Sequence, residues 1–353
     1  MEFTLPKNTY FSAANGFSGF RSYFNDTFNP RKYERLFVLK GGPGTGKSTL
    51  MKKILKTFKG SPYRTEAILC SSDPSSLDGI IIGKEKRKIA VIDGTAPHET
   101  DAKLPGCADE IVNLGSAWSC ERLIAHREEI EKLNLKKSQD YQRAYEFLRL
   151  AGIFFESITN IANNAYQKND SQVINDIFYD IKDKNRSSIE YTRLLSCFGK
   201  EGYKRLDGKY FPGKYRISVT GRQGSEFVFM KHLENRAKEI GTPYIRYASP
   251  YSDKLTEALY FTLNDSFVLC GGEFPDVIDS SVFLLESMLD DNKIRINYYH
   301  KQFEELCALS QKEFMSASNA HFELESIYTS AMNFGIIDDI EDKITEDIYF
   351  YLK

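Results

Sequence analysis

Phe37-Val38-Leu39-Lys40-Gly41-Gly42-Pro43-Gly44-Thr45-Gly46-Lys47-Ser48-Thr49 is the stretch that decides the fold. The apolar run Arg35 to Leu39 reads as a buried parallel strand. Leu50, Met51, Ile54 and Leu55 recur at helical spacing over Thr49 to Phe58. Between them, Gly41, Gly46, Lys47 and Ser48 fit the pattern G-x-x-x-x-G-K-[S/T], with a strand before it and a helix after it, as a phosphate-binding loop requires. Glycines let the backbone curl so that successive N–H groups point at phosphate oxygens, and the helix N-terminus adds partial positive charge. Gly41, Gly42, Pro43, Gly44, Thr45, Gly46, Lys47, Ser48 and Thr49 are therefore the expected nucleotide-binding residues. Lys47 would reach the β- and γ-phosphates, and Ser48 would ligate Mg²⁺.

A carboxylate is needed on the metal side. Asp93 closes the apolar run Ile89-Ala90-Val91-Ile92, so a buried strand delivers it to the phosphates as the second Mg²⁺-side residue. Asp73, in Cys70-Ser71-Ser72-Asp73-Pro74, follows the next strand. It could orient the attacking water, or it could cap a turn before Pro74, and the residues leave both readings open. His98 and Asp101 lie just beyond Asp93. His98 is a candidate γ-phosphate sensor or substrate contact, against the alternative of an ordinary loop histidine. Asp78 reads as structural, and Trp118 as a core aromatic with no tie to the nucleotide.

The second half echoes the first. Leu77-Asp78-Gly79 through Asp101 aligns without a gap on Leu255-Thr256-Glu257 through Asp279, at a shift of 178 (255 − 77). Gly41–Thr45 faces Gly221–Ser225, and Glu156-Ser157-Ile158 faces Glu325-Ser326-Ile327. A period this long indicates a tandem duplication, not a solenoid. The expected class is α/β: two related P-loop-type doubly wound domains with mainly parallel sheets, each bearing a long helical hairpin (Glu121 to about Ala165; Lys293 to about Met332). Residues 1–185 form the nucleotide-binding domain and 186–353 its degenerate repeat, with the boundary at Asp183–Ser187. In the repeat the Gly-Lys pair is missing, Glu226 follows Ser225, and Gly271 aligns with Asp93. Its role would be regulatory or partner-binding, with Arg222 as the one candidate to replace the lost lysine.

Bulk properties narrow the class. A chain of 353 residues, 41% hydrophobic and 27% charged, can bury two ordinary cores. A net charge of −2 gives no support to a nucleic-acid-wrapping surface. No apolar run approaches the ~18 residues of a membrane span. Met1-Glu2-Phe3-Thr4 does not open a signal peptide, and six scattered cysteines without a C-x-x-C pair suggest reduced thiols and a cytoplasmic setting.

Gly41 to Lys53, the Cys70–Gly79 segment, Asp93-Gly94-Thr95-Ala96-Pro97-His98 and His321–Tyr328 together resemble a family of largely uncharacterised bacterial tandem P-loop ATPases. The resemblance spans nearly the whole chain and implies a cytoplasmic ATP-binding protein with two related halves. It implies no substrate. Family members often keep a recognisable loop in the second half, and this chain departs there, at Gly221–Phe229. The expected function is slow, Mg²⁺-dependent ATP hydrolysis by the first half. A small-molecule or nucleotide kinase and a non-hydrolysing ATP switch binding a protein partner are the rivals. GTP is disfavoured, since no Asn/Thr-Lys-x-Asp segment follows a strand.

Overall fold

Leu36, Phe37, Val38 and Leu39 are all buried, so the strand carrying them, Arg35–Lys40, must be covered on both faces. The computed structural model describes residues 3–84, 86–167, 169–179 and 191–353. It divides into two units: Met1–Ala13, Ser22–Arg143 and Lys312–Lys353 form the first, and Ala14–Arg21 with Ala144–Gln311 the second. The expected boundary at Asp183–Ser187 lies outside the described residues.

The first unit has strands β1 (Asn8–Phe11), β2 (Arg35–Lys40), β3 (Arg64–Leu69), β4 (Leu77–Lys84), β5 (Arg87–Asp93) and β6 (Asp109–Asn113), in the spatial order β1-β3-β4-β5-β2-β6. The β1–β3, β5–β2 and β2–β6 ladders are parallel. β4 runs against its two neighbours. The carboxyl ends of the other five strands therefore share one edge, where ligands of open α/β sheets bind. The core beneath joins Leu36, Val38, Ile68, Ala90 and Ile92 to Phe24 and Phe28.

In the second unit, β7 (Tyr191–Leu194), β8 (Tyr215–Thr220), β9 (Tyr244–Ala248), β10 (Thr256–Phe261), β11 (Ser266–Cys270) and β12 (Asp276–Asp279) take the matching order β7-β9-β10-β11-β8-β12. Parallel and antiparallel ladders fall in the same places. Even the register irregularity recurs, between Ile68 and Leu69 and between Tyr247 and Ala248. The core gathers Val219, Phe229, Met230, Leu233, Leu259 and Phe261. The hairpin around Asn264-Asp265 forms as its residues suggest, Asp265 taking φ +55°.

The ladders correct the gapless alignment. Beside the shared irregularity, Gly79 corresponds to Ala258 (258 − 79 = 179), and their partners Ile92 and Leu269 differ by 177 (269 − 92). The hairpin of the second unit is two residues shorter at its tip, with four residues beyond the Phe261–Ser266 pair against six beyond the matching Ile82–Ile89 pair, so the shift of 178 is an average of two registers. One consequence concerns the site. Leu39 pairs with Asp93 and Val219 with Cys270, so Cys270, not Gly271, occupies the place of Asp93.

Each unit places a helix after the strand that pairs its last one, β2 and β8: α1 (Lys47–Thr57) in the first and α4 (Ser225–Ile240) in the second. The long helices α2 (Arg127–Ala165) and α5 (Lys293–Ser330) match the expected spans to within a few residues, apart from the short preceding helix Cys120–Ala125, but each is one continuous helix and not a hairpin. In the first unit the start of α2 packs on the end of α5 through Leu133, Ala320 and Leu324. The following helix α6 (Phe334–Leu352) packs on α1. In the second unit the shorter α3 (Ser171–Ile177) takes that place on α4. Among the described residues, no helix is long and apolar enough to cross a membrane.

Candidate functional site

β2 delivers the chain at Lys40 to a six-residue loop, 41–46, that ends at α1. Gly44 and Gly46 hold φ of +69° and +84°, the left-handed region that side chains rarely adopt, and this gives the loop its curl. Gly46 caps α1 without a side-chain hydrogen bond, and the first turn carries Lys47 and no acidic residue. A cation at a helix N-terminus is unfavourable until an anion sits there. Lys47 Nζ donates to the carbonyl oxygens of Gly41 and Gly42, each at 2.8 Å, and lies 3.6 Å from Asp93 Oδ2. Thr45 Oγ1 donates to Gly42 O at 2.9 Å and braces the loop from inside.

Asp93 is positioned by Thr95, whose N–H and hydroxyl both donate to Oδ1, at 2.9 and 2.5 Å. That leaves Oδ2 toward Lys47. Ser48 Oγ accepts the Leu77 N–H at 3.0 Å, which ties the hydroxyl to the start of β4. Among the described residues, no group of three or more His, Cys, Asp or Glu could hold a metal. Magnesium needs no such group: it takes one or two protein oxygens and fills the remaining positions with water and phosphate. The oxygens of Ser48 and Asp93 fit that requirement.

The other two candidates are placed differently. Both Asp73 oxygens accept the Ser75 hydroxyl at 2.9 Å, and Oδ1 lies 3.3 Å from the Ser75 N–H, which is the turn-capping arrangement. His98 is buried: Nε2 lies 3.0 Å from Asp78 Oδ2, and its ring stacks on Phe24 at 4.1 Å. Structure and packing account for these His98 contacts. Asp101 pairs with Lys40 at 2.9 Å.

A third face of the site was not legible from the motif. The last turns of α5 lie against the loop. Thr329 Oγ1 donates to Gly44 O at 3.3 Å, and a Cβ built on Gly44 would fall 2.5 Å from Glu325 O. Tyr328 and Trp118 flank Gly42, with ring centroids 5.8 Å apart, while Phe334 and Ile337 approach Gly46. Trp118, which the sequence did not tie to the nucleotide, sits beside the loop. Glu325 lies 3.5 Å from His321, and the hydrogen bond from that imidazole holds its carboxyl below the ordinary carboxylate range. Lys47 pulls it further down and Asp73 opposes, so all three share one electrostatic neighbourhood.

The second loop is built otherwise. Only residues 221–224 separate β8 from α4, two fewer than between β2 and α1. The N-caps Gly46 and Gly224 share φ +84°, which places Ser225 where Lys47 stands and Glu226 where Ser48 stands. The loop is closed by side chains of its neighbours: a Cβ on Gly221 would fall 2.3 Å from both Ser225 Oγ and Ser280 Oγ and 2.8 Å from Glu226 Oε2. Burial raises the Glu226 pKa, and Oε2 has no hydrogen-bond partner among the described residues. Arg222, the candidate substitute for the lost lysine, is half-exposed and paired with Glu286.

The chain matches no family model, no curated protein and no solved structure.

Proposed function

We propose that the first unit is a P-loop nucleotide site binding Mg·ATP through residues 41–49 and hydrolysing it slowly. The second unit is its duplicated copy, which no longer binds phosphate. The observation that carries this reading is the Lys47 ammonium, tucked into a glycine-curled loop and 3.6 Å from the carboxylate that ends the neighbouring strand. A triphosphate would take over the bonds Lys47 now makes to Gly41 and Gly42 and offset the adverse charge at the start of α1. Ser48 and Asp93 would hold Mg²⁺, which when bound helps neutralise the phosphate charge. The loop N–H groups and Lys47 would stabilise the charge developing on the γ-phosphoryl group.

The shared strand order, ladder directions and register irregularity support duplication. The collapsed loop at 221–224 supports loss of the second site. The test is phosphate release and ATP binding by the wild type and Lys47→Ala, with and without a metabolite pool. Phosphate release that depends on Lys47 is expected. ATP loss that requires an added acceptor would replace hydrolysis with a kinase. Binding without turnover would replace it with a switch.

A further inference from the structure

Structural equivalence between the units can be extended into the long helices. The caps Asn113 and Asp279 correspond (279 − 113 = 166), each accepting the N–H two residues on. Isolated bridges join Trp118 to Met332 and Leu284 to Tyr166, again offset by 166 (284 − 118; 332 − 166). On this offset Glu325 corresponds to Thr159 and His321 to Phe155. Each long helix also touches its own loop near that position: a Cβ on Gly44 would fall 2.5 Å from Glu325 O, and one on Gly224 would fall 2.5 Å from Thr159 Cγ2. Glu156, matched to Glu325 by sequence alone, is one helical turn short of that position.

Four chemically active positions around the first loop thus have inert counterparts around the second. Lys47 faces Ser225, Asp93 faces Cys270, Glu325 faces Thr159 and His321 faces Phe155. Phe155 belongs to an aromatic cluster with Tyr251, Phe227 and Phe303. The glutamate and histidine of α5 occur in the unit that keeps the phosphate lysine and not in the other. The loop contact at this position does not require them, since it is made by the Glu325 backbone carbonyl in one unit and by the Thr159 methyl in the other.

We infer that Glu325, oriented by His321, is the catalytic carboxylate that aligns the attacking water with the γ-phosphate of ATP in the first unit. This rests on the nucleotide-binding reading above. In the step, the water oxygen bonds to the γ-phosphorus. The bond from that phosphorus to the bridging oxygen breaks, and its electron pair leaves with ADP. One water proton passes to a Glu325 oxygen and on to solvent, and the other stays on the released phosphate. Asp73, with Ser75 on its carboxylate, is left as the turn cap.

Trp118 is the sole tryptophan and flanks Gly42, so its fluorescence reports occupancy of the loop separately from turnover. Glu325→Gln should lower kcat about 10²-fold or more while Trp118 still reports Mg·ATP binding within a few-fold of wild type. Glu325→Asp should recover part of the rate. His321→Phe, copying the second unit, should give a smaller loss. Unchanged turnover in E325Q, or loss of nucleotide binding as complete as in Lys47→Ala, would overturn the role. Absence of phosphate release from the wild type would overturn it together with the hydrolysis reading, whereas normal turnover by E325Q would remove the glutamate's role alone.

Discussion

The two loops solve opposite problems, one with six residues between strand and helix and the other with four. Around Gly41–Lys47, the first turn of α1 carries a cation against its own helix dipole, held by the carbonyl oxygens of Gly41 and Gly42. Around Gly221–Ser225, the first turn of α4 carries Glu226, whose sign suits the dipole while its burial opposes the charge. Ser225 and Ser280 close the remaining space, at 2.8 Å from each other. The first arrangement is a poor helix start that an anion would improve. The second is complete without one, except for the buried carboxylate itself. Strand order alone does not distinguish the two units; the electrostatics of one helical turn does.

The comparison can be broken most severely at the lysine pair. Lys47→Ala should reduce phosphate release about 10²–10³-fold, the effect of removing a principal charge-stabilising group. Ser225→Ala should leave the rate within twofold. Steady-state phosphate assays on both variants would decide this, and equal losses would break the distinction between the units. Restoring lysine as Ser225→Lys should not create a second nucleotide site, because the loop remains two residues short.

Gly44→Ala is next in size. A left-handed φ costs a side-chain residue about 1–2 kcal/mol, and the new Cβ would meet the Glu325 carbonyl at 2.5 Å, so α5 must shift or the loop must open. Thermal unfolding should show a fall in Tm, and nucleotide binding should weaken with it. Gly19→Ala, at φ +91° with nothing within 4 Å of the added Cβ, should show the backbone cost alone.

Glu226 gives a smaller effect of known sign. Burial raises its folded-state pKa above the unfolded value of about 4.3. Its contribution is therefore fully present below the unfolded pKa and is lost as pH rises through the folded one. Glu226→Gln should stabilise the protein by about 1 kcal/mol near pH 7, and the gain should vanish toward pH 4. Denaturant midpoints across that range would check it, and a variant less stable at pH 7 would show that the carboxylate has an unrecognised partner. The smallest effect belongs to the exposed Lys53–Asp338 pair between α1 and α6. Asp338→Ala should change stability by less than about 0.5 kcal/mol in the same assay.

What could be read without coordinates follows the range of the signals. The loop, its strand and its helix are contiguous, so glycine chemistry and periodicity located Gly41 to Phe58 and the end of β5 at Asp93. The long helices were legible to within a few residues because their periodicity runs for many turns. Register was not: two compensating offsets, 179 and 177, looked like one gapless shift, and only hydrogen-bonded pairs exposed Cys270 as the partner of Asp93. β1 was missed because four residues at the start of the sheet carry little periodic signal. His98 was assigned by its nearness in sequence to Asp93, yet its ring is held by Asp78 and Phe24. Glu325 and His321 could not be connected to a loop nearly 280 residues earlier without knowing where α5 packs. The available signal was their replacement by Thr159 and Phe155, visible only once the helices are offset by 166.

The central claim is that one loop accepts a triphosphate and its copy does not. Calorimetric titration of the full chain with Mg·ATP tests this most directly. One site per chain, abolished by Lys47→Ala and untouched by Ser225→Ala, is the predicted result. Two sites per chain, or binding that survives loss of the Lys47 ammonium at full affinity, would contradict it.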